Sequence, residues 1–334
     1  LANAGTSVEL GKRLCVVGYH TSFNPETGVS DMDKGQQYYQ GPYDSLANGV
    51  DTTKAVELIA SAQTSDFILV QSNFCQLRNF YIHGTPEGYD LLNLSHQDTQ
   101  YFEAYGCKFG TTGKSIVADW YTGASFPRGI VFEDCLFDPQ ITTQHGVVVA
   151  GGGCVIFTRC IFNGQDHPTG PMYTFSLRVA AGSQVAVHNS YFYNGDAGIF
   201  PDQGAHADVR NCTLLDQKHF CIGVQKGIAH VTNSILVPRA SGYVGGHSTG
   251  GSSILDYNVY WSMANEAPQW WTAVANPSTV APPKGVHSIT ANPNIVFKPG
   301  IGPVPTSPLA IRMKAGANCE TSSGGGGRLR GGRL

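Results

Sequence analysis

Apolar and small residues recur in this chain in a pattern that repeats eight times. The anchors are Phe80, Cys107, Cys135, Cys160, Ser190, Cys212, Ser234 and Asn258. Five positions earlier stand Cys75, Phe102, Ile130, Val155, Val185, Ala207, Ala229 and Ser253. Three earlier come Leu77, Ala104, Phe132, Phe157, Val187, Val209, Val231 and Leu255. Two positions after each anchor lie Ile82, Phe109, Phe137, Phe162, Phe192, Leu214, Leu236 and Tyr260. Successive anchors are 27, 28, 25, 30, 22, 22 and 24 residues apart. A period of ~20–50 residues marks a solenoid, a propeller or an array.

The phase within each repeat selects among these. Strand side chains alternate with period two, so positions minus five and minus three share a face, as do zero and plus two. The step from minus three to zero breaks the alternation, which requires a tight bend between two strands. Asn79, Asn189, Asn211 and Asn233 stand just before the anchor, with Gly106 in a fifth repeat. Asn and Gly best tolerate the left-handed backbone of such a bend. A variable loop follows, then a third apolar segment such as Val147-Val148-Val149 or Phe220-Cys221-Ile222. Three strands per coil and a bend at Asn describe an all-β, right-handed parallel β-helix. In this respect the chain resembles the pectate-lyase-like superfamily over roughly residues 66–262. The resemblance implies an architecture and brings no catalytic residue with it.

Composition agrees. Charged residues are 13% of the chain, against about 25% in ordinary domains, and 41 of 334 residues are glycine. A solenoid grows by adding coils, so one elongated domain is expected. The net charge of −3 offers no footprint for nucleic acid, and no apolar run reaches the roughly 18 residues of a membrane span. Of nine cysteines, Cys107, Cys135, Cys160 and Cys212 are anchors and Cys75 also faces inward. They are therefore expected to pack as small reduced thiols, with no C-x-x-C metal spacing.

The expected organisation is an early coil at 1–18, with Val8, Leu10, Cys15 and Val17 inward, then a long loop at 19–54. The β-helix core covers 55–262, a closing region 263–320 and a Gly/Arg-rich tail 321–334. Residues 55–62 suit either a short helix or a strand. Asn294–Met313 is expected to add closing strands, and open coil ends would allow self-association.

Chemistry is expected in the turns after plus two, which stack along one edge. They hold Asp138, Asp166 with His167, Asp196, then Asp216, Lys218 and His219. Adjacent coils are ~4.8 Å apart, so turn carboxylates come within reach of the ~5–9.5 Å separations of glycosidases. Asp196 and Asp216 are the expected acid–base or cation-binding pair and Lys218 or His219 the proton carrier, with Asp166 expected on the same catalytic surface. Lysine beside a carboxylate also suits proton abstraction next to a uronate. Arg178, Lys226, Trp270 and Trp271 are the expected substrate-binding groups. Gly246-His247-Ser248-Thr249-Gly250 matches a nucleophile elbow, followed in hydrolase order by Asp256 and His287, but lacks the strand–turn–helix context. Asp31-Met32-Asp33-Lys34-Gly35 resembles the start of a calcium loop, yet Pro42 stands where the bidentate Glu belongs. No cofactor is expected, with Ca2+ the only metal the acidic turns suggest.

Two functions follow as expectations. One is an extracellular or surface- or virion-associated protein that binds, and by its acidic turns cleaves, a polysaccharide. The other is a non-catalytic structural or adhesive module.

Overall fold

The computed structural model describes residues 2–4, 8–10, 15–17, 56–61, 65–78, 80–84, 88–111, 115–119, 129–138, 145–150, 153–164, 174–180, 182–239, 242–248, 250–262, 268–272, 278–280, 285–293, 295–297 and 311–313. Every named element among them is a strand. Thr213–Gln217, Phe220–Val224 and Ile228–Thr232 make one coil, and Ile235–Pro238 begins the next. The coil strands pair in parallel with their counterparts a coil away, in sheets of 11, 11 and 9 strands among the described residues, beside a separate two-stranded sheet. We call the three large ones the first, second and third sheets, in the order a coil visits them. Residues 55–62 resolve as the strand Val56–Ser61 of the first sheet.

Register follows the apolar columns. Phe137 pairs with Phe109 and Phe162, Phe162 with Phe192, and Phe192 with Leu214. The third sheet aligns Phe132, Phe157, Val187, Val209 and Val231 in the same way. Stacked identical rings fill the interior: Phe109–Phe137, Phe137–Phe162 and Phe162–Phe192 lie 5.5, 4.8 and 4.2 Å apart at 8°, 18° and 3°. A second stack, Phe132–Phe157, meets the first edge-on at Phe137 and Phe162. Such contacts add to the burial each ring already gains.

The bend between the third and first sheets is left-handed in every coil where its residue is described, beginning at Gly106. Asn189, Asn211 and Asn233 have φ of 52°, 55° and 52°. Asp134, Arg159 and Tyr257 adopt the same conformation at φ 52°, 53° and 56°. Each of these three has a partner to offset the strain. Arg159 Nε donates to Asp134 Oδ1 at 2.8 Å one coil away, and its Nη2 also reaches Glu133. Tyr257 stacks on His287 at 4.2 Å.

The anchor column explains the thiols. Cys107, Cys135, Cys160 and Cys212 are buried and free. Each Sγ donates to a carbonyl one coil back: Leu77, Ala104, Phe132 and Val187, at 3.3–3.5 Å. Ser190 and Ser234 bond the carbonyls two residues before them and accept the backbone N–H of Cys160 and Cys212. Burial pushes the Cys135 thiol well above its ordinary value and Cys212 up to about 12. In native buffer at pH 8, a thiol reagent should therefore leave these four cysteines unmodified while denaturant exposes them. Fast native labelling, or disulfides seen by mass spectrometry, would contradict the inward column.

At the first coil the strand Cys15–Val17 pairs with Gln76–Arg78, and Val16 takes the register of Leu77. Val16, not Cys15 and Val17, therefore holds the inward register position. A phase shift of one residue exchanges the two faces of a strand. At the other end, Ser278–Val280 runs antiparallel to Trp270–Thr272 and ends the parallel run of the second sheet. Ile295–Phe297 and Ile311–Met313 are strands antiparallel to each other in a separate two-stranded sheet.

Residues 285–291 close the last coil. Ile289 N and Ala291 N donate to Asn258 O and Tyr260 O. Asp256 Oδ2 lies 3.0 Å from His287 Nδ1, and its Oδ1 accepts the backbone N–H of His287 and Tyr257. The His287 hydrogen bond leads the groups that hold the Asp256 carboxyl below its ordinary value. A depressed folded pKa stabilises above the unfolded carboxyl value, about 3.9, and that contribution is lost as pH falls through the folded one. Amide exchange across residues 285–291, corrected for intrinsic rates, should rise below about pH 4, and His287→Ala should raise it at neutral pH. Unchanged protection in both cases would show that this pair does not hold the closing turn.

Candidate carbohydrate face

The turn residues sit where the chain passes from the first sheet to the second. Asp196 immediately precedes the strand Ala197–Pro201, and Lys218 and His219 precede Phe220–Val224. Parallel register one coil apart brings these turns together. His219 N donates to Asp196 O at 2.7 Å, and Lys218 N to Gly195 O at 2.8 Å. The Asp196 carboxylate is 4% exposed, with Lys218 Nζ 3.7 Å from Oδ1. Its Oδ2 accepts from Thr174 N at 3.3 Å and Thr174 Oγ1 at 3.1 Å. A buried carboxylate anchored on one oxygen and facing an ammonium on the other is held in a single orientation.

Asp216 is used differently. It has φ 58° at a register shift in the strand Thr213–Gln217, a bulge that turns its side chain out. Arg239 Nε donates to Asp216 Oδ1 at 2.9 Å, and Arg239 Nη2 to Asn194 Oδ1 at 3.0 Å. Asp196 and Asp216 thus each face their own cation. Asp166, with His167, lies outside the described residues, as does Asp31–Gly35.

The four residues expected to bind substrate lie on or beside the second sheet. Arg178 is on its outer row, paired in register with Phe200, and its Nη2 lies 3.7 Å from Asp202 Oδ2 at the far edge. Lys226 is exposed at the next corner with φ 56°. Trp270 departs from expectation. It is fully buried, its Nε1 donates to His247 Nδ1 at 3.0 Å, and its ring fills the space that a Cβ on Gly245 would occupy. It plugs the core because its strand takes the inward register opposite Gly245, so its faces are not offered to a ligand. The backbone of Trp271 pairs with Gly246 on the outer row; its side chain lies outside the described residues.

Sequence reading missed the aromatic groups that the fold gathers here. Phe200 lies over Gly223, where a Cβ would come 2.8 Å from its ring, and stacks on Phe175 at 4.1 Å. Phe220 and Tyr243, partly exposed at the starts of neighbouring strands, stack at 5.7 Å. The glycines that interrupt the third apolar segment were the available signal. Three neighbouring strands of this face thus carry partly exposed rings, Phe200, Phe220 and Tyr243, with Asp196–Lys218 at one edge and Arg178–Asp202 at the other.

The family model for a right-handed β-helix region matches residues 71–259, more than half of the 334-residue chain. The chain belongs to the right-handed β-helix family. No curated protein and no solved structure matches it. The matched span of this β-helix contains Asp196, Lys218, Arg178 and the ring row, whereas Trp270 lies beyond it. Among the described residues, no three His, Cys, Asp or Glu side chains gather as a metal site.

Proposed function

We propose that this β-helix binds an extracellular polysaccharide along the outer face of its second sheet. The observation that carries the reading is the set of partly exposed rings Phe200, Phe220 and Tyr243, Phe200 backed by the buried Phe175, flanked on both edges by oriented carboxylate–cation pairs. Flat apolar rings suit the C–H faces of sugars, and fixed charged groups suit their hydroxyls. Asp196 with Lys218 is the acid–base pair if the bound chain is cleaved. The protein would then act outside the cell or on a surface, where such polymers are met.

The non-catalytic structural or adhesive reading has one observation in its favour: Asp196 and Asp216 each face a separate cation, as in a ligand-holding or load-bearing surface. Affinity electrophoresis against a panel of neutral and uronic polysaccharides separates the readings, with assays for new reducing ends and unsaturated products. Retardation that Phe200→Ala/Tyr243→Ala abolishes supports the face. No retardation by any polymer returns the protein to the structural class.

A further inference from the structure

The corner between the second and third sheets also passes through left-handed backbone. Gly129, Gly182, Gly204 and Gly250 serve there at φ 61–82°. Gln203 and Lys226 also adopt it there at φ 51° and 56°, and two coils use large aromatics, Phe74 at φ 59° and Tyr101 at φ 53°. A bulky side chain in this region is strained, and strain of this kind concentrates at ligand-binding positions. Burial does not offset it, since Phe74 is 46% and Tyr101 48% exposed. The rings stack on each other at 4.8 Å and 12°. Tyr101 can lie where it does only because the next coil has Gly129, whose Cβ would come 2.9 Å from the ring.

Beside the rings runs an ordered chain of planar polar groups on the outer face of the third sheet. Gln76 Nε2 donates to Glu103 Oε2 at 2.7 Å, and Arg78 Nη2 donates to Gln76 Oε1 at 3.2 Å. The Arg78 guanidinium lies 6.0 Å from the Tyr105 ring centroid. Amide, carboxylate and guanidinium together offer paired donors and acceptors in fixed directions. Vicinal hydroxyls match that arrangement, and the C–H face of a pyranose matches the rings.

We propose that Phe74 and Tyr101, with Gln76, Arg78 and Glu103, form a glycosyl subsite. It takes one or two sugar residues of the polymer. The inference rests on the polysaccharide reading and places a second contact at the far corner of the second sheet, with Tyr101 four coils before Phe200. A proline-rich peptide would also stack on the rings but would leave the planar polar groups without vicinal hydroxyls to bind.

Asparagine tolerates left-handed backbone, so Phe74→Asn/Tyr101→Asn removes the rings without breaking the corner. The probes are hexasaccharides of glucan, galactan, mannan and polygalacturonate, measured by calorimetry. The Asn pair should weaken the tightest probe at least tenfold with melting temperature unchanged or raised, and Arg78→Ala should weaken it too, while Tyr101→Trp keeps it. Equal affinity in the Asn pair and the parent overturns the subsite. If Phe200→Ala/Tyr243→Ala loses binding while the Asn pair does not, the subsite falls and the polysaccharide reading stands. Should the parent bind no hexasaccharide, or bind only a proline-rich peptide, the sugar chemistry of both falls.

Discussion

Phe162→Ala should destabilise the protein by about 3–5 kcal/mol, the range for removing a fully packed ring from a core. Phe162 is 1% exposed and sits between Phe137 at 4.8 Å and Phe192 at 4.2 Å, with Phe157 edge-on at 5.4 Å. Above and below it, the strands are tied by parallel backbone ladders. The coils therefore cannot move together to fill the cavity without breaking those hydrogen bonds, which places the cost toward the upper part of the range. Phe162→Leu keeps most of the volume and should lose less than about 1.5 kcal/mol. Urea unfolding followed by tyrosine fluorescence and by circular dichroism provides the measurement. The two probes must agree, because stacked repeats can unfold in parts. A loss below about 1 kcal/mol for the Ala variant would place the ring outside the core.

The second large effect is functional. If the polymer is cleaved, Asp196→Asn should lower turnover at least ~100-fold, the scale of a removed general acid or base. Thr174 donates to Asp196 through its backbone N–H and its hydroxyl, and both bonds survive with the Asn carbonyl oxygen as acceptor. The variant should therefore fold as the parent does. Lys218→Met should reduce turnover as well, by leaving the buried carboxylate without its cation. Asp216→Asn should change turnover little and cost stability instead, because its partners are Arg239 and, through Arg239, Asn194. Turnover equal to the parent in Asp196→Asn removes this carboxylate from the chemistry. A parent that releases neither reducing ends nor unsaturated products from any polymer leaves binding as the whole of the function.

Much of this architecture is legible along the chain because a solenoid satisfies its constraints one coil at a time. The columns Phe109–Phe137–Phe162–Phe192 and Cys107–Cys135–Cys160 occupy the same position of successive coils, so a residue count predicts which side chains touch. The bend was legible where Asn189, Asn211 and Asn233 mark it. It was hidden at Asp134 and Arg159, which take the same backbone because each supplies the other's charge across one coil. Asp134 is of a type that tolerates this backbone, but nothing in Arg159 alone announces a left-handed bend. The same holds for Phe74 and Tyr101 at the other corner, where only coordinates reveal φ above zero.

The candidate site was legible only in outline. The sequence placed Asp196, Asp216, Lys218 and His219 in equivalent turns, which the parallel register brings to one corner. Which carboxylate faces which cation depended on a bulge at Asp216 and on Arg239 from the following coil. Trp270 appeared as a ligand-facing ring where the repeat faded, but an inward register opposite Gly245 made it a core plug. Periodic burial is written in the sequence, since each coil must hide the same face against its neighbours. Pairing of charges, the facing of single rings and left-handed corners without Asn or Gly depend on one-residue shifts in loops of unequal length. Only the folded stack decides those shifts.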